Sequence, residues 1–291
     1  MEDRHQMVVL RDGGQLAYDE YGDPNGTPVF FCHGWPSSRT MAEFTDVAAR
    51  DLGVRIISPD RPGIRGSTFQ AERKLTDWPP VLQQLADHLG IDRFRMLAIS
   101  GGAPYAYVAG WAMPARMRAA AIVSGAPPIV ELSDQSDLWA FYRWMLHCYT
   151  RYPRFSRWGF RFARPFLSLR PPRRTHPLLL KFLPPADAAA LRDSRSFDIC
   201  FESQREAWRS SALGVLADAE IYARPWGFAL EDVDVPVRLW HGKEDRAFAF
   251  RLAEEVARRL PNCTARYVDK TGHYSLPIRH MHQILADLIS V

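Results

Sequence analysis

Met96-Leu97-Ala98-Ile99-Ser100-Gly101-Gly102-Ala103 joins an apolar run directly to a helix-like stretch. A serine at such a strand-to-helix turn needs small residues two before and two after it, so that the backbone folds tightly and the hydroxyl stands clear. Ala98 and Gly102 meet that need, although the usual pattern is G-x-S-x-G and alanine replaces its first glycine. Read alone, the segment also fits a serine capping a helix. Its surroundings have to decide.

Working outward, short apolar runs bounded by turn residues recur at Val29–Cys32, Val54–Ser58, Phe94–Ile99, Ala119–Ser124, Val237–Trp240 and Thr264–Val268. Runs of that kind fit strands buried on both faces of a parallel sheet. Helix-like stretches separate them at Arg39–Leu52, Thr76–Leu89, Ala103–Met113, Phe248–Leu260 and Ile278–Ile289, and Leu82, Leu85, Ala86 and Leu89 carry helical spacing. Two alternating segments around Asp12-Gly13-Gly14 open the chain as a hairpin. The pattern predicts an α/β fold: a doubly wound, mostly parallel, eight-stranded sheet with a leading hairpin.

The alternation breaks between Pro127 and Leu230, a stretch too long for a loop, rich in Trp and Phe, with proline pairs at 171–172 and 184–185. It reads as a helical cap over the carboxyl ends of the strands, where ligands bind in open α/β sheets. The expected organisation is a core from 1–126 and 231–291 with a cap from 127–230.

A serine nucleophile needs a base. His273, in Lys270-Thr271-Gly272-His273, lies in a loop between the last strand and the last helix. Asp245, in Gly242-Lys243-Glu244-Asp245, lies just past the penultimate strand. A buried carboxylate there would fix the imidazole tautomer; Glu244 and Asp269 compete for that role. The order Ser, Asp, His, all at strand ends, is hard to produce by accident. The stretch His33-Gly34-Trp35-Pro36 after the third strand offers the backbone N–H of Trp35, and the turn offers that of Gly101, as two donors for an oxyanion. His33 itself reads as a loop-pinning residue.

With these motifs in hand, together with Asp60-Arg61-Pro62-Gly63 and Gly66-Ser67, the chain resembles the α/β-hydrolase fold superfamily over 5–126 and 231–291. The resemblance implies a Ser100/Asp245/His273 triad, an oxyanion hole from the Trp35 and Gly101 amides, and a helical cap after the sixth strand. It is to esterase-like members rather than to those attacking with a carboxylate, since the turn carries serine. Two positions depart from the family pattern: Ala98, and Arg65 where glycine is usual.

The expected activity is serine hydrolysis of an ester or thioester, of carboxylesterase or thioesterase type, through an acyl-enzyme. Two other readings stay open: a lyase or cofactor-free oxygenase-like enzyme using His273 as base, and a ligand-binding protein with a vestigial triad. No metal-ligand spacing or phosphate loop is present, so neither metal nor cofactor is expected.

Net charge is +4, from 37 basic and 33 acidic residues, but it is unevenly spread. Residues 138–186 hold nine Arg, Lys181 and twelve aromatics with no acid, leaving the remainder at −6. Within this stretch Arg154, Arg157, Arg161 and Arg164 share one side of a helix, with Phe155, Trp158 and Phe162 on another. A lid helix, its aromatics packed over the pocket and its arginines solvated, is one reading. A landing surface for an anionic membrane and recognition of an anionic substrate or carrier are the others. Trp139, Trp144 and Trp158 are candidate substrate contacts, and nucleic acid is not an expected partner. The polar start, the absence of a long apolar run and four dispersed cysteines predict a cytoplasmic protein.

Overall fold

A computed structural model describes residues 5–132, 134–170, 175–209 and 211–291. The strands are β1 (His5–Val9), β2 (Gln15–Gly22), β3 (Thr27–Cys32), β4 (Val54–Pro59), β5 (Phe94–Ile99), β6 (Met117–Val123), β7 (Val237–Gly242) and β8 (Cys263–Val268). They form one eight-stranded sheet in the order β1-β2-β4-β3-β5-β6-β7-β8. The β1–β2 hairpin and the β2–β4 pairing are antiparallel, and β3 to β8 run parallel.

The core helices are α1 (Asp46–Asp51), α2 (Trp78–His88), α3 (Ala103–Ala112), α10 (Phe250–Arg259) and α11 (Ser275–Ile289). Because strand side chains alternate, β3 sends Phe30 to one face and Val29 and Phe31 to the other. Met96 and Ala98 of β5 join Phe30 against α2, α3 and α10. Leu97 and Ile99 join the opposite layer, under α1 and α11. Both faces are therefore covered, which is why the central strands read as continuous apolar runs. The chain leaves β3 toward β4 on one side and returns to β5 on the other. That reversal opens a crevice at the carboxyl ends of β3 and β5.

Between β6 and β7 the described residues form helices α4 (Ala140–Arg151), α5 (Pro153–Leu167), α6 (His176–Leu180), α7 (Pro185–Ala190), α8 (Ser194–Arg209) and α9 (Leu213–Tyr222). One isolated bridge, Leu138 to Phe248, ties the excursion to the core. It has two layers. Helices α8 and α9 bury residues such as Phe197, Trp208, Val215 and Asp218, whereas α4, α5 and α6 bury none. The proline pair at 171–172, with Arg173 and Arg174, lies outside the described residues.

Candidate active site

β5 ends at Ile99, Ser100–Gly102 makes one tight turn, and α3 begins at Ala103. Ser100 sits at φ +53°, a left-handed conformation that costs a non-glycine residue about 1–3 kcal/mol. The turn packs so closely on β3 that a Cβ at position 102 would stand 2.1 Å from the Cys32 carbonyl oxygen. Only glycine fits there. Ala98, by contrast, is a fully buried β5 residue paired with Cys32 and Ile122, where a methyl group is accommodated.

The loops after β7 and β8 deliver the other two side chains. His273 Nε2 lies 2.9 Å from Ser100 Oγ, and His273 Nδ1 lies 2.8 Å from Asp245 Oδ2. A carboxylate can only accept, so Nδ1 carries the proton and Nε2 accepts from the Ser100 hydroxyl. The other carboxylate oxygen accepts the Ala247 and Phe248 N–H groups at 2.8 and 3.0 Å, which fixes the Asp245 plane. Burial would raise the Asp245 pKa, but the His273 charge and hydrogen bond outweigh it and hold the carboxyl below its ordinary value. Burial would lower that of His273, and here the Asp245 charge and hydrogen bond, with the Asp187 charge, raise it above the usual imidazole value. Of the competing carboxylates, Glu244 is exposed and Asp269 is exposed and paired with Lys243.

The two amides named from sequence lie side by side: a Cβ on Gly101 would stand 3.0 Å from the Trp35 nitrogen. Their orientation has an identifiable cause. Arg61 donates to the His33 and Gly34 carbonyls at 2.6 and 2.8 Å. In a planar trans peptide the N–H points opposite the C=O, so fixing Gly34 O turns the Trp35 N–H away from Arg61. For Gly101 the carbonyl opposite its N–H is that of Ser100, which accepts the Ala126 N–H at 3.0 Å. Tyr222 steadies the next peptide by donating to the Gly101 carbonyl at 2.7 Å, and the Trp35 indole donates to Val215 O at 2.9 Å. Arg61 is itself anchored on Asp218 of α9 at 2.8 Å, and Asp218 also takes bonds from Arg73 and from Tyr105. Burial would raise the Asp218 carboxyl, but Arg61 and Arg73 outweigh it and hold it low. The His33 ring bonds within its loop, Nδ1 to Gly34 O at 3.0 Å, and burial followed by the Arg61 charge keeps it neutral.

Asp187 at α7 was invisible in the sequence. It is 1% exposed and accepts the backbone N–H groups of His273, Tyr274 and Ser275 at 3.1, 3.1 and 2.8 Å, plus the Ser275 hydroxyl at 2.8 Å. A carboxylate of the excursion thus holds the histidine loop of the core. Only its position, as the first acid after forty-nine residues without one (138–186), hinted at a special role. Arg65, at φ +47°, occupies a conformation that favours glycine, and its guanidinium reaches Glu206 of α8 at 3.1 Å.

Two cavities meet at Ser100, Trp35, Pro36 and Tyr142. The first, about 400 Å³, runs between α4, α5 and α9 and is lined by apolar groups such as Ile129, Met145, Phe160 and Leu216. The second, about 360 Å³, runs toward α7 and α8 and adds Ser203, Gln204, Asp187 and Arg246. Trp144 lines the first and Trp139 the second. Trp158 lines neither: it stands on the outer surface, 58% exposed. The lid-helix reading of α5 is corrected in part: Phe155 lines the cavity and Arg154 and Arg161 are exposed, as that reading has it, but Trp158 and Phe162 do not pack over the pocket. Ser156, Gly159, Phe160 and Ala163 face the cavity, while Trp158, Phe162 and Phe166 point to solvent. Two of the arginines turn toward the inner layer, Arg157 pairing with Glu220 at 2.7 Å and Arg164 donating to the Trp208 and Arg209 carbonyls. On the cavity side α5 carries the small residues Ser156, Gly159 and Ala163 with Phe160, and Phe155 and Leu167 reach the same cavity from its exposed edge.

Among curated proteins, the chain is similar to an uncharacterized hydrolase (YcgS) of Bacillus subtilis, 34% identical over 35% of this chain and 34% of that protein. It is also similar to a non-heme chloroperoxidase, CPO-A1, of Kitasatospora aureofaciens, 32% identical over 45% and 47%. A probable proline iminopeptidase of Leptolyngbya boryana is 37% identical over 30% and 28%. The matches thus span less than half the length of these relatives. Among solved structures, bromoperoxidase from Bacillus anthracis superposes with a TM-score of 0.72, 19% identity and 98% of each chain covered. An esterase from Thermogutta terrifontis gives 0.69, 18% and 98% of each; at such identities the likeness is one of fold. Residues 29–288 match the model of the alpha/beta hydrolase family, and the chain belongs to that family.

Proposed function

We propose that Ser100, His273 and Asp245 act as a catalytic triad and that the protein hydrolyses an ester or thioester through an acyl-enzyme. The observation that carries this is the unbroken relay of 2.9 and 2.8 Å from the Ser100 hydroxyl through His273 to a buried carboxylate, beside two adjacent amides. His273 Nε2 takes the hydroxyl proton as Ser100 Oγ bonds to the acyl carbon. The carbonyl oxygen becomes an oxyanion and receives the N–H groups of Trp35 and Gly101, which serve as the oxyanion hole. Each such donor contributes about 3–4 kcal/mol in comparable sites. The imidazolium then gives its proton to the leaving alcohol or thiol as the bond to it breaks. Water, deprotonated by His273, repeats the sequence and frees the acid and Ser100.

The two cavities divide the substrate. An apolar acyl chain suits the α4–α5–α9 cavity, whose lining offers it almost nothing polar. A polar leaving group suits the other, with Ser203, Gln204 and Arg246. Residues 127–230 then act as a cap that selects substrates. A fluorophosphonate probe tests the chemistry: wild type should be labelled at Ser100 and Ser100→Ala should not. Folded wild type that stays unlabelled would exclude the acyl-enzyme.

A further inference from the structure

The outer layer of the helical excursion is built unlike any other surface of this protein. Among the described residues, twelve of the seventeen exposed large apolar side chains lie between Trp139 and Phe182. On α5 they form a stacked ridge: Phe155 on Trp158 at 6.1 Å between ring centroids, Trp158 on Phe162 at 5.2 Å, and Phe162 against Phe166 at 5.8 Å. All four rings are 58–64% exposed. At about 100° per residue, Arg154 and Arg161 lie roughly a quarter turn round the helix from the ridge. Both are exposed, as are Arg143, Arg151 and Lys181, and no acidic residue occurs from Leu138 to Ala186. An apolar patch of this kind marks an interaction surface.

We propose that this face docks on an anionic lipid bilayer. Phenylalanine and tryptophan rings flanked by arginine suit the boundary between acyl chains and charged headgroups. The uncompensated positive charge supplies the preference for anionic lipid. A second copy of the chain is a poorer occupant, because a two-fold contact would bring this basic surface against itself. The mouth of the apolar cavity argues the same way. Trp144, Phe155 and Leu167 are 49–64% exposed and also line the cavity that ends at Ser100. An apolar substrate could therefore pass from the bilayer to Ser100 without crossing water. Among the described residues no helix is long and apolar enough to cross a membrane, and the contact proposed is one of this face lying on the bilayer.

Docking does not depend on Ser100 being a nucleophile, and flotation separates the two ideas. Wild type should float with vesicles of phosphatidylcholine mixed with phosphatidylglycerol at low salt. It should not float with phosphatidylcholine alone, and high salt should release it. Phe162→Ser with Phe166→Ser, and separately Arg154→Glu with Arg161→Glu, should each weaken binding at least about tenfold. Both variants should keep the wild-type melting temperature and its turnover of a short, water-soluble ester. Ser100→Ala should float like wild type. Absence of flotation, or equal flotation with both lipids, would overturn the proposal. So would a vesicle-free dimer that the Phe162→Ser and Phe166→Ser pair converts to monomer, since a second copy would then cover the ridge.

Discussion

Beneath Ser100, charge is buried and answered. Arg61, Arg73, Tyr105 and Asp218 are 0–7% exposed and bonded to one another. In α4, α5 and α6, about 8–22 Å of helix per element, no residue is buried, and aromatic rings stack on each other in the open. The floor spends stability on geometry, since each group there is held by partners from distant parts of the chain. The outer layer is held by little of its own and is shaped by what it faces. Chemistry needs the first kind of construction and substrate access the second. Substitutions that damage one region while sparing the other make that division testable.

The largest effect belongs to the floor. Ser100→Ala should lower kcat on any accepted ester by about 10⁴–10⁶ while leaving the denaturation midpoint unchanged or slightly raised, because the left-handed strain does not depend on the hydroxyl. A residual rate above one hundredth of wild type would mean that Ser100 is not the nucleophile. Next comes Asp218→Ala, which leaves Arg61 and Arg73 buried without their shared anion. It should cost about 3–5 kcal/mol by urea denaturation. It should also reduce kcat in whatever folded protein remains, through a mobile Trp35 amide. Were stability to change by less than about 1 kcal/mol, the buried network would not be what ties α9 to the floor.

Asp187 crosses from the excursion to the floor and sharpens the contrast. Asp187→Asn keeps the shape but loses the charge and replaces one acceptor oxygen with a donor facing backbone N–H groups. We expect kcat to fall roughly 10–100-fold as the histidine loop loosens. The pH profile carries the more specific signature. His273 must be neutral to act as base, so kcat/KM falls as pH drops through its pKa. Asp245 and Asp187 both raise that pKa. As pH falls, wild type should therefore begin to lose activity earlier than an ordinary imidazole would dictate, and the variant's acid limb should move to lower pH. An unmoved limb with reduced kcat would leave Asp187 a structural clamp with no electrostatic part.

Much of this was legible in the chain, and the reasons differ by region. Parallel strands buried on both faces must be apolar throughout, so runs such as Phe94–Ile99 disclosed their boundaries. The turn at Ser100 requires small neighbours, and His273 and Asp245 follow strands directly, so local sequence carried the relay as well. Arg61 stood out only as part of the Asp60–Gly63 motif, with no role attached, and Asp218 and Asp187 gave no such sign, because the partners lie 157 residues apart for Arg61 and Asp218 and 86–88 for Asp187. No local pattern encodes a contact of that range. Helix α5 misled for another reason. Its periodicity showed an aromatic face but could not say what that face met, and Trp158, Phe162 and Phe166 turned out to be exposed while Phe160 and Ala163 line the cavity.

The smallest expected effect probes where the two constructions meet. Gly159 lies in the middle of α5 and lines the apolar cavity, and a Cβ built on it meets nothing within 4 Å. A glycine inside a helix costs about 0.5–1 kcal/mol relative to alanine, so its presence facing open space calls for a reason. Room for an acyl chain is one. Gly159→Leu should leave the melting temperature unchanged or raise it by a few degrees, since it adds helix propensity without a clash. It should also fill part of the cavity, lowering kcat/KM for long-chain esters by about tenfold while acetyl esters are turned over as before. Equal loss on both would place the leucine across the path to Ser100 instead of along the acyl arm. Equal retention would move the acyl chain into the cavity beside α7 and α8, where Ser203 and Gln204 would have to tolerate it.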